Sequence, residues 1–381
     1  MGESHRPSEL LAQLAEARDD VALGIDGERV TLTNLDKVLW PADAVAGTPA
    51  YTRRDFMAYL IEAGPHMLPH MKDRPLTLIR MPYGVGGRRF VQFHWEQKLP
   101  AFVETISIWS EKNSIAEEFL LCNNMATLLW LAHVGTLEFH VWHSRADPAP
   151  DARGASTDFT SSAAALQRSI LNFPDYIVFD IDPYIYSGRE AKGDQPEYNA
   201  AAFGQGKAVA FRVKALLDGM GLASRVKTSG KTGLHVLVPV VRTIDYDAAR
   251  ALAEAIARHL VREHPDEITI DWDTRKRTGK VFFDYTMNVR VKTLSVPYSV
   301  RAVPGAPVSM PLTWKELEKA TPERYTIAAV PKLLAKRGDI WGDMLEAKQK
   351  LENVLAGVSS ADPGGSASPR SRHGPSPRRS G

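Results

Sequence analysis

The stretch Tyr176-Ile177-Val178-Phe179-Asp180-Ile181-Asp182-Pro183 predicts a buried strand that ends in two carboxylates. Because side chains alternate across a strand, Asp180 and Asp182 share one face while the apolar residues beside them point into the core. Two like charges on one face repel, and a divalent cation would offset that repulsion because carboxylate oxygens are preferred ligands of Mg²⁺ and Mn²⁺. Pro183 has no N–H and ends the strand. The stretch therefore predicts a metal site, with two solvent-facing aspartates as the alternative.

The composition limits the classes of protein to consider. The chain has 381 residues, 44% hydrophobic and 24% charged, with a net charge of +2. Such values are ordinary for a globular protein, and nucleic-acid binding would need a local basic patch. No apolar run reaches the roughly 18 residues that cross a bilayer, and the single Cys122 is expected to be a core thiol. We therefore expect a cytoplasmic protein with no membrane contact.

Hydrophobic patterns divide the chain into segments. We expect an N-terminal arm over residues 1–24, an α/β module over 25–150 and a second module over 173–310. The second module predicts a β-α-β-α-β order with helices on one side of the sheet, an RRM-like or ferredoxin-like arrangement. Helical patterns cover residues 116–133 and 311–355, and residues 184–206 favour a surface insertion. The basic, Ser/Pro/Gly-rich residues 356–381 predict a disordered tail.

A third carboxylate, Asp284, lies in another predicted strand, Lys280–Tyr285. If that strand neighbours the first one, Asp284 converges with Asp180 and Asp182 on one surface. Three aspartates can hold two divalent ions about 3.5–4 Å apart, which is the arrangement used in phosphoryl transfer. On its own, Asp284 would be an ordinary polar strand residue.

The segment Thr228–His235 has the composition of an anion-binding loop. Its two glycines allow backbone N–H groups to approach a phosphate closely. It is not a P-loop, because the required earlier glycine would fall at Arg225 and a strand follows in place of a helix. Three side chains can donate to phosphate oxygens, although the histidine is equally compatible with a purely structural strand position: Ser229, Lys231 and His235.

Two basic groups could attract a polyanion, although solvated surface is the default interpretation of any charge cluster. The first, Arg275–Lys280, directly precedes the Asp284 strand and is extended by Arg301. The second lies early in the chain, beside aromatic residues that could stack on bases. Its members are Lys37, Arg53, Arg54 and Arg80.

Taken together, these motifs resemble the polymerase domain of bacterial ligase D, a branch of the archaeo-eukaryotic primase superfamily. The likeness covers roughly residues 28 to 320 in a consistent order. The matching pieces are Leu32-Thr33-Asn34 with Asp36-Lys37-Val38-Leu39-Trp40-Pro41, Arg74-Pro75 with Arg80, Leu137-Glu138-Phe139-His140, Phe179-Asp180-Ile181-Asp182-Pro183, Thr228-Ser229-Gly230 with Gly233-Leu234-His235, Phe283-Asp284-Tyr285, and Pro297-Tyr298-Ser299 with Arg301-Ala302.

The resemblance implies an α+β primase-type fold over residues 25–355, with the α/β module packed on an RRM-like catalytic module that has a mixed or antiparallel sheet. It implies template-dependent addition of nucleotides to primer 3′ ends, by gap filling and end joining during double-strand-break repair. The implied cofactors are two divalent cations, Mn²⁺ or Mg²⁺. The implied partners are gapped or broken DNA with a 5′-phosphate, NTP or dNTP, Ku and a separate DNA ligase, at the nucleoid. No ligase or phosphoesterase segment follows, so we expect a stand-alone polymerase.

The family's functional positions carry over residue by residue. Asp180, Asp182 and Asp284 become the catalytic metal ligands. The implied nucleotide-binding residues are Ser229, Lys231, His235, Arg277, Arg301 and His140. The implied 5′-phosphate-binding residues are Asn34, Lys37 and Arg53. The family often has a lysine directly before the second glycine of the Ser-Gly motif, whereas this chain has Thr232 there and Lys231 one position earlier.

Two other functions remain as alternatives at this point. A haloacid-dehalogenase-like phosphatase also places Asp-x-Asp after an apolar strand, but it prefers a small or β-branched residue where this chain has Tyr184. A DNA-end-binding scaffold with a degenerate active site would keep the basic groups and lack nucleotide incorporation.

Overall fold

The computed structural model describes residues 6–44, 47–183, 199–352 and 354, and the fold is mixed α+β. The helices are α1 Pro7–Glu16, α2 Arg53–Met71, α3 Met125–His133, α4 Ala163–Arg168, α5 Ala200–Gly219, α6 Tyr246–Glu263, α7 Trp314–Leu317 and α8 Val330–Arg337. The strands are β1 Val21–Ile25, β2 Glu28–Leu32, β3 Val38–Trp40, β4 Tyr51–Thr52, β5 Leu76–Arg80, β6 Phe90–Gln92, β7 Thr105–Ser110, β8 Ile115–Leu120, β9 Thr136–Trp142, β10 Tyr176–Asp182, β11 Arg225–Thr228, β12 Leu234–Pro239, β13 Ile268–Thr269, β14 Val281–Asp284, β15 Thr293–Ser295 and β16 Pro311–Leu312.

Strands from the second half of the chain form a six-stranded sheet in the order β13-β14-β10-β12-β11-β16. All its pairs are antiparallel except β13 with β14. Strand β10 lies inside the sheet and is rich in β-branched and aromatic residues, which suit a strand with two neighbours. Its residues Ile177, Phe179 and Ile181 pack in one core with apolar residues of α5 and α6. The two aspartates of β10 therefore lie on the face away from that core.

A four-stranded sheet in the order β15-β9-β5-β6 belongs mainly to the first half of the chain. Strand β9 pairs with β5 on one edge and β15 on the other, so a strand from within the second module completes the first sheet. The Ser299 hydroxyl accepts a hydrogen bond from the backbone N–H of Phe139 at 2.9 Å, which adds a second link. The two halves of the chain are thus interleaved.

A buried ion cluster ties these parts together at the start of β10. The carboxylate of Asp175 is buried and lies 2.8 Å from Arg74, 3.1 Å from Arg145, 3.5 Å from Arg242 and 2.5 Å from Lys348. Burial alone would raise the pKa of Asp175, but these cations hold it well below its usual range. Five distant segments of the chain therefore meet at one carboxylate.

Several predicted elements needed correction. Within the range 116–133 that was predicted as helix, the first five residues belong to strand β8, which pairs with β7. Only the last part of the range, after Asn124, forms helix α3. Hairpin pairing overrides the helical propensity of the Ala-Glu-Glu sequence in β8. The predicted helix over 311–355 is also interrupted: α7 and α8 are separate, because Pro322 begins a separate turn and Gly338 ends α8 at φ 65°.

Two further predictions differ from the structure, one about a strand and one about the insertion. Strand β11 was absent from the predicted order, and α5 begins at Ala200, inside the predicted insertion. Residues 184–198 of that insertion and the predicted tail over 356–381 lie outside the described residues. Within the part of the chain that is described, no helix is long and apolar enough to cross a membrane.

The ion cluster leads to a stability prediction. Replacing Asp175 by Asn leaves buried Arg74 without an acidic partner, and it leaves Arg145, Arg242 and Lys348 with Asp151 alone. We therefore expect a loss of about 3 kcal/mol or more in the free energy of unfolding. Chemical denaturation measures it. The control Asp218→Asn breaks a surface ion pair with Lys214 and should cost no more than about 0.5 kcal/mol. Equal stabilities of the two variants would contradict the structural role of the cluster.

Candidate active site

Strand pairing places four ionisable side chains in one row across the six-stranded sheet. Asp180 of β10 lies directly opposite Asp284 of β14 on one side and His235 of β12 on the other. Lys227 of β11 lies opposite His235 and continues the row. Residues directly opposite each other on neighbouring strands project to the same face, with Cβ atoms about 5 Å apart. We call these four residues the acid–base row.

The next position along β10 carries the other predicted carboxylate. Asp182 lies opposite Phe282, on the same face as the acid–base row. The Arg277 guanidinium stacks on the Phe282 ring at 3.5 Å from its centre and donates to the backbone oxygens of Asp271 and Trp272. Arg277 therefore lies over Phe282, the residue that pairs with Asp182, and its guanidinium is hydrogen-bonded to the backbone of the preceding loop.

Desolvation and neighbouring like charges both act on Asp180 in the middle of the row. Burial, followed by the neighbouring charges of Asp182 and Asp284, raises the pKa of Asp180 to about 8. The His235 ring nitrogen Nε2 lies 3.5 Å from the Asp180 carboxylate. Burial and the nearby Lys227 charge nevertheless lower the pKa of His235 well below its usual value, so the ring is neutral. The row thus contains a carboxyl group that lacks a compensating cation beside it.

The donor set suits a divalent cation. Three aspartates project from neighbouring positions of two paired strands, and carboxylate oxygens are the ligands that Mg²⁺ and Mn²⁺ prefer. However, no group of three His, Cys, Asp or Glu side chains is already arranged as a metal cage within the described ranges. The Asp284 carboxylate instead accepts hydrogen bonds from Thr286, at 2.7 Å from its N–H and 2.6 Å from its hydroxyl. Both of these contacts use one oxygen of Asp284, which leaves its second oxygen available to a cation.

The predicted anion-binding loop lies at the turn between β11 and β12, beside the row. The Ser229 hydroxyl accepts hydrogen bonds from the N–H groups of Lys231 at 3.2 Å and Gly233 at 2.9 Å. Gly230 has φ 80°, and a Cβ there would lie 2.6 Å from the side chain of Arg301, so the position needs glycine. Arg301 in turn donates to the backbone oxygen of Ser229 at 2.6 Å. The loop and Arg301 therefore hold each other in place.

A buried glutamate that the sequence analysis did not single out as a site residue organises the cations here. Glu138 of β9 is 1% exposed and lies 3.1 Å from Arg301, 3.6 Å from Lys231 and 3.1 Å from His140. Burial would raise its pKa, but the Arg301 charge and its other partners lower the pKa of Glu138 below the usual range. Three of the predicted nucleotide-binding residues thus share one buried anion. The signal was present in the alternating strand Leu137-Glu138-Phe139-His140, where the two polar residues share a face.

Lys227 was also missed, because β11 was not recognised as a strand. Its side chain is buried, and its ammonium group donates to the hydroxyls of Ser309 at 2.5 Å and Ser295 at 3.3 Å. Burial and the Arg301 charge lower the pKa of Lys227 well below its usual value. Ser309 also donates to the backbone oxygen of Thr228, so these bonds fix the strand that leads into the anion-binding loop.

The three predicted 5′-phosphate residues are brought together between β2 and α2. The backbone N–H of Arg53 donates to the Lys37 oxygen at 2.8 Å, and its guanidinium donates to the Thr33 oxygen at 2.6 Å. The Lys37 ammonium lies 4.8 Å from the ring centre of Tyr83, which is largely exposed. Asn34 is exposed in the same turn, with φ 54°. Burial lowers the pKa of Arg53.

Comparison with known proteins assigns the chain to a family. The profile described as "LigD, primase-polymerase domain" matches residues 52–341, which is most of the chain. The chain belongs to the LigD primase-polymerase family. Over 318 residues it is 31% identical to the multifunctional non-homologous end joining protein LigD of Mycolicibacterium smegmatis, covering 84% of this chain and 36% of that protein. The bifunctional LigD of Bacillus subtilis is 28% identical over 312 residues, covering 81% and 43%.

A solved structure supports the same family. The polymerase domain of Mycobacterium tuberculosis ligase D, determined in complex with DNA, matches with a TM-score of 0.67 and 28% sequence identity. The match covers 84% of this chain and 99% of that one, and it agrees with the mixed α+β fold. The chain spans less than half the length of the curated LigD proteins named above. Members of the family are nucleotidyltransferases, and polymerases of this kind depend on metal ions for catalysis.

The raised pKa of Asp180 predicts how stability depends on pH without metal. The carboxyl has a pKa of about 8 when folded and, as an ordinary aspartate, about 3.9 when unfolded. Between these values the folded state binds the extra proton, so the free energy of unfolding falls as pH rises through this window. We expect the melting temperature of the chelator-treated protein to fall with pH, and Asp180→Asn to flatten that dependence.

Added metal tests the same carboxyl. At the alkaline end of the window, Mn²⁺ should raise the melting temperature of the wild type and have little effect on Asp180→Asn. The surface variant Asp218→Asn should keep both the pH trend and the metal response. If the melting temperature of the wild type changes with neither pH nor Mn²⁺, the cation-binding interpretation is wrong.

Proposed function

We propose that this protein is a template-dependent primase-polymerase that adds nucleotides to primer 3′ ends, in gap filling and end joining during double-strand-break repair. The observation that carries the proposal is the pairing of Asp180 with Asp284, with Asp182 on the same face, in a chain of the LigD primase-polymerase family. We further propose that the six-stranded sheet with α5 and α6 is an RRM-like catalytic module, packed against the N-terminal α/β module. The family assignment leaves the phosphatase alternative without support.

In the proposed mechanism, Asp180, Asp182 and Asp284 hold the divalent cations. Bound there, Mn²⁺ or Mg²⁺ would supply charge neutralisation for the triphosphate and would lower the pKa of the primer 3′-hydroxyl. The protein's own part is to aim the carboxylates from a rigid, paired strand. Because β10 is bonded on both edges, the positions of its carboxylates vary little.

The incoming NTP or dNTP would bind beside the anion-binding loop. Ser229 can still donate its hydroxyl hydrogen, because its oxygen only accepts from the loop N–H groups. Arg301 and Lys231 both pair with Glu138, and this shared carboxylate reduces the repulsion between the two cations. These cations would stabilise the negative charge that grows on the leaving pyrophosphate. Neutral His235 and His140 line the same side and can donate hydrogen bonds to phosphate oxygens.

The DNA would be held by a separate set of residues. We propose that Asn34, Lys37 and Arg53 bind the 5′-phosphate at a gap or break, with exposed Tyr83 available to stack beside it. The structure of the related tuberculosis domain with DNA supports nucleic acid as the partner. The names of the LigD relatives support a role in end joining, for which we propose Ku as partner and a DNA ligase that seals the product at the nucleoid.

The decisive test of the carboxylates is a substitution that preserves the fold. We expect Asp182→Ala to abolish extension of a primer at a 5′-phosphorylated gap, with either sugar type and either metal, while the dissociation constant for the DNA stays nearly unchanged. The reason is that Asp182 contributes to cation binding and not to DNA contacts. Asp218→Asn, on the far surface of α5, should extend normally. Extension by the Asp182 variant at the wild-type rate would remove this residue from the mechanism.

The 5′-phosphate residues predict a substrate preference. Lys37→Ala should reduce the preference for 5′-phosphorylated over unphosphorylated gaps by about ten-fold, because one charge-assisted hydrogen bond is worth about 1.5 kcal/mol or more. Paired binding titrations with the two gapped duplexes measure that ratio. Arg258→Ala, which removes a cation paired with Glu254 on α6, serves as the control. An unaltered ratio in the Lys37 variant would mean that the phosphate is held elsewhere.

A further inference from the structure

A second charged surface lies on the C-terminal elements and shares no residue with the acid–base row. It is a groove of about 1140 Å³ formed between α7, the turn after it and α8. Of the fifteen residues that line it, six are cationic and two are acidic. We call it the basic groove, after its cationic residues Lys315, Lys319, Arg324, Lys332, Lys336 and Arg337.

Most of this positive charge is not compensated by the protein. Arg337 is paired with Glu316 at 2.5 Å, and Arg324 donates to the backbone oxygen of Lys319 at 2.9 Å. The four lysine ammonium groups have no carboxylate within 4.0 Å among the residues that the structure describes. A concave surface that gathers unpaired cations attracts counter-ions strongly, because field lines converge in a groove.

Helix α8 differs in this respect from the other surface helices. Helices α5 and α6 pair exposed cations with acids four residues away, as in Lys214 with Asp218 and Arg258 with Glu254. Helix α8 contains no acidic residue, and its Lys332 and Lys336 occupy one face at the spacing where like charges repel. An ordinary solvated helix face intersperses both signs. Helix α8 therefore presents two like charges on one face, and an external anion would offset their repulsion.

We propose that the basic groove binds the phosphodiester backbone of a nucleic acid, as a contact separate from the acid–base row and from the 5′-phosphate residues. Several unpaired cations along one groove suit a ligand with regularly repeated negative charge. The choice of nucleic acid among polyanions rests on the proposed polymerase function. The groove contributes affinity without reading sequence, because phosphate contacts position a duplex and carry no base information.

The groove has a fixed geometry relative to the anion-binding loop. Its wall includes Tyr325 and Thr326, and the segment 325–327 is hydrogen-bonded to the segment 306–308, through Val308 N–H to the Tyr325 oxygen at 2.7 Å. The neighbouring Pro307 oxygen accepts from the N–H of Arg301 at 2.8 Å. One short segment therefore supports the groove on one side and the proposed triphosphate contact on the other.

The test is a salt titration of DNA binding with the double variant Lys332→Gln/Lys336→Gln. Both side chains are exposed, so the substitutions should leave the fold intact, which thermal unfolding verifies. The probe is a fluorescein-labelled blunt duplex of about three helical turns, roughly 30 base pairs, followed by anisotropy. We expect the slope of log affinity against log salt to become shallower by about two, and affinity at low salt to fall roughly ten-fold or more.

The matched control is Lys214→Gln/Arg258→Gln, which removes the same charge from α5 and α6, where each cation already has an acidic partner. Its slope should match the wild type. Primer extension on a short gapped substrate at saturating protein concentration should be the same in all three proteins, because the groove is outside the proposed catalytic residues.

The outcomes separate this proposal from the polymerase proposal. If the slope of log affinity against log salt is unchanged in the α8 variant, the proposal that the basic groove binds nucleic acid is wrong. If that variant still extends primers, the polymerase proposal is unaffected. A shallower slope in a protein that never extends a primer supports the groove while the polymerase proposal fails. Unchanged DNA binding together with weakened binding of poly-glutamate would show that the groove accepts an acidic protein, and would also overturn the proposal.

Discussion

The antiparallel pairing of β10 along both of its edges is the constraint on which the site depends. Hydrogen bonds to β12 and β14 fix which residues stand opposite Asp180, and a shift of one residue would move every side chain of β10 to the other face. The apolar residues Ile177, Phe179 and Ile181 resist such a shift, because they would leave the core beneath α5 and α6. Core packing thus determines the position of the carboxylates.

Around this strand, charges are arranged by sign. The acids Asp180, Asp182 and Asp284 come from β10 and β14, whereas the cations Lys231 and Arg301 lie beyond β12, where Glu138 holds them. Under the proposed function, a divalent cation would bind among the three acids, and the triphosphate would bind near the two cations that share Glu138. The separation of the two signs would then suit a ligand that carries both charges, a metal-bound nucleotide.

The sequence allowed prediction of those parts of the fold that local patterns specify. Apolar runs located β10 and β14, and the predicted β-α-β-α-β order located α5, β12 and α6 between them. Family motifs named the aspartates and the loop that the structure then places side by side. Strand β11 was missed because its four residues lead directly into Ser229-Gly230 and resemble a loop, although β12 and β16 pair with them. The roles of Glu138 and Lys227 depend on contacts with Arg301 and Ser309, far away in sequence, which no local pattern reveals.

Two aspartates at and near the start of β10, Asp175 and Asp180, have surroundings that differ in a way that separates structure from function. Asp175, just before the strand, is surrounded by four cations, which lower its pKa and keep it charged. Asp180, five residues later, is partly exposed, and desolvation followed by the charges of Asp182 and Asp284 raises its pKa. A chain selected for stability alone would not leave the second carboxylate without a cation, since compensation of the first shows that this fold can supply one. Asp180 thus lacks the cations that Arg74, Arg145, Arg242 and Lys348 supply at Asp175, and under the proposed function a bound divalent cation would supply that compensation.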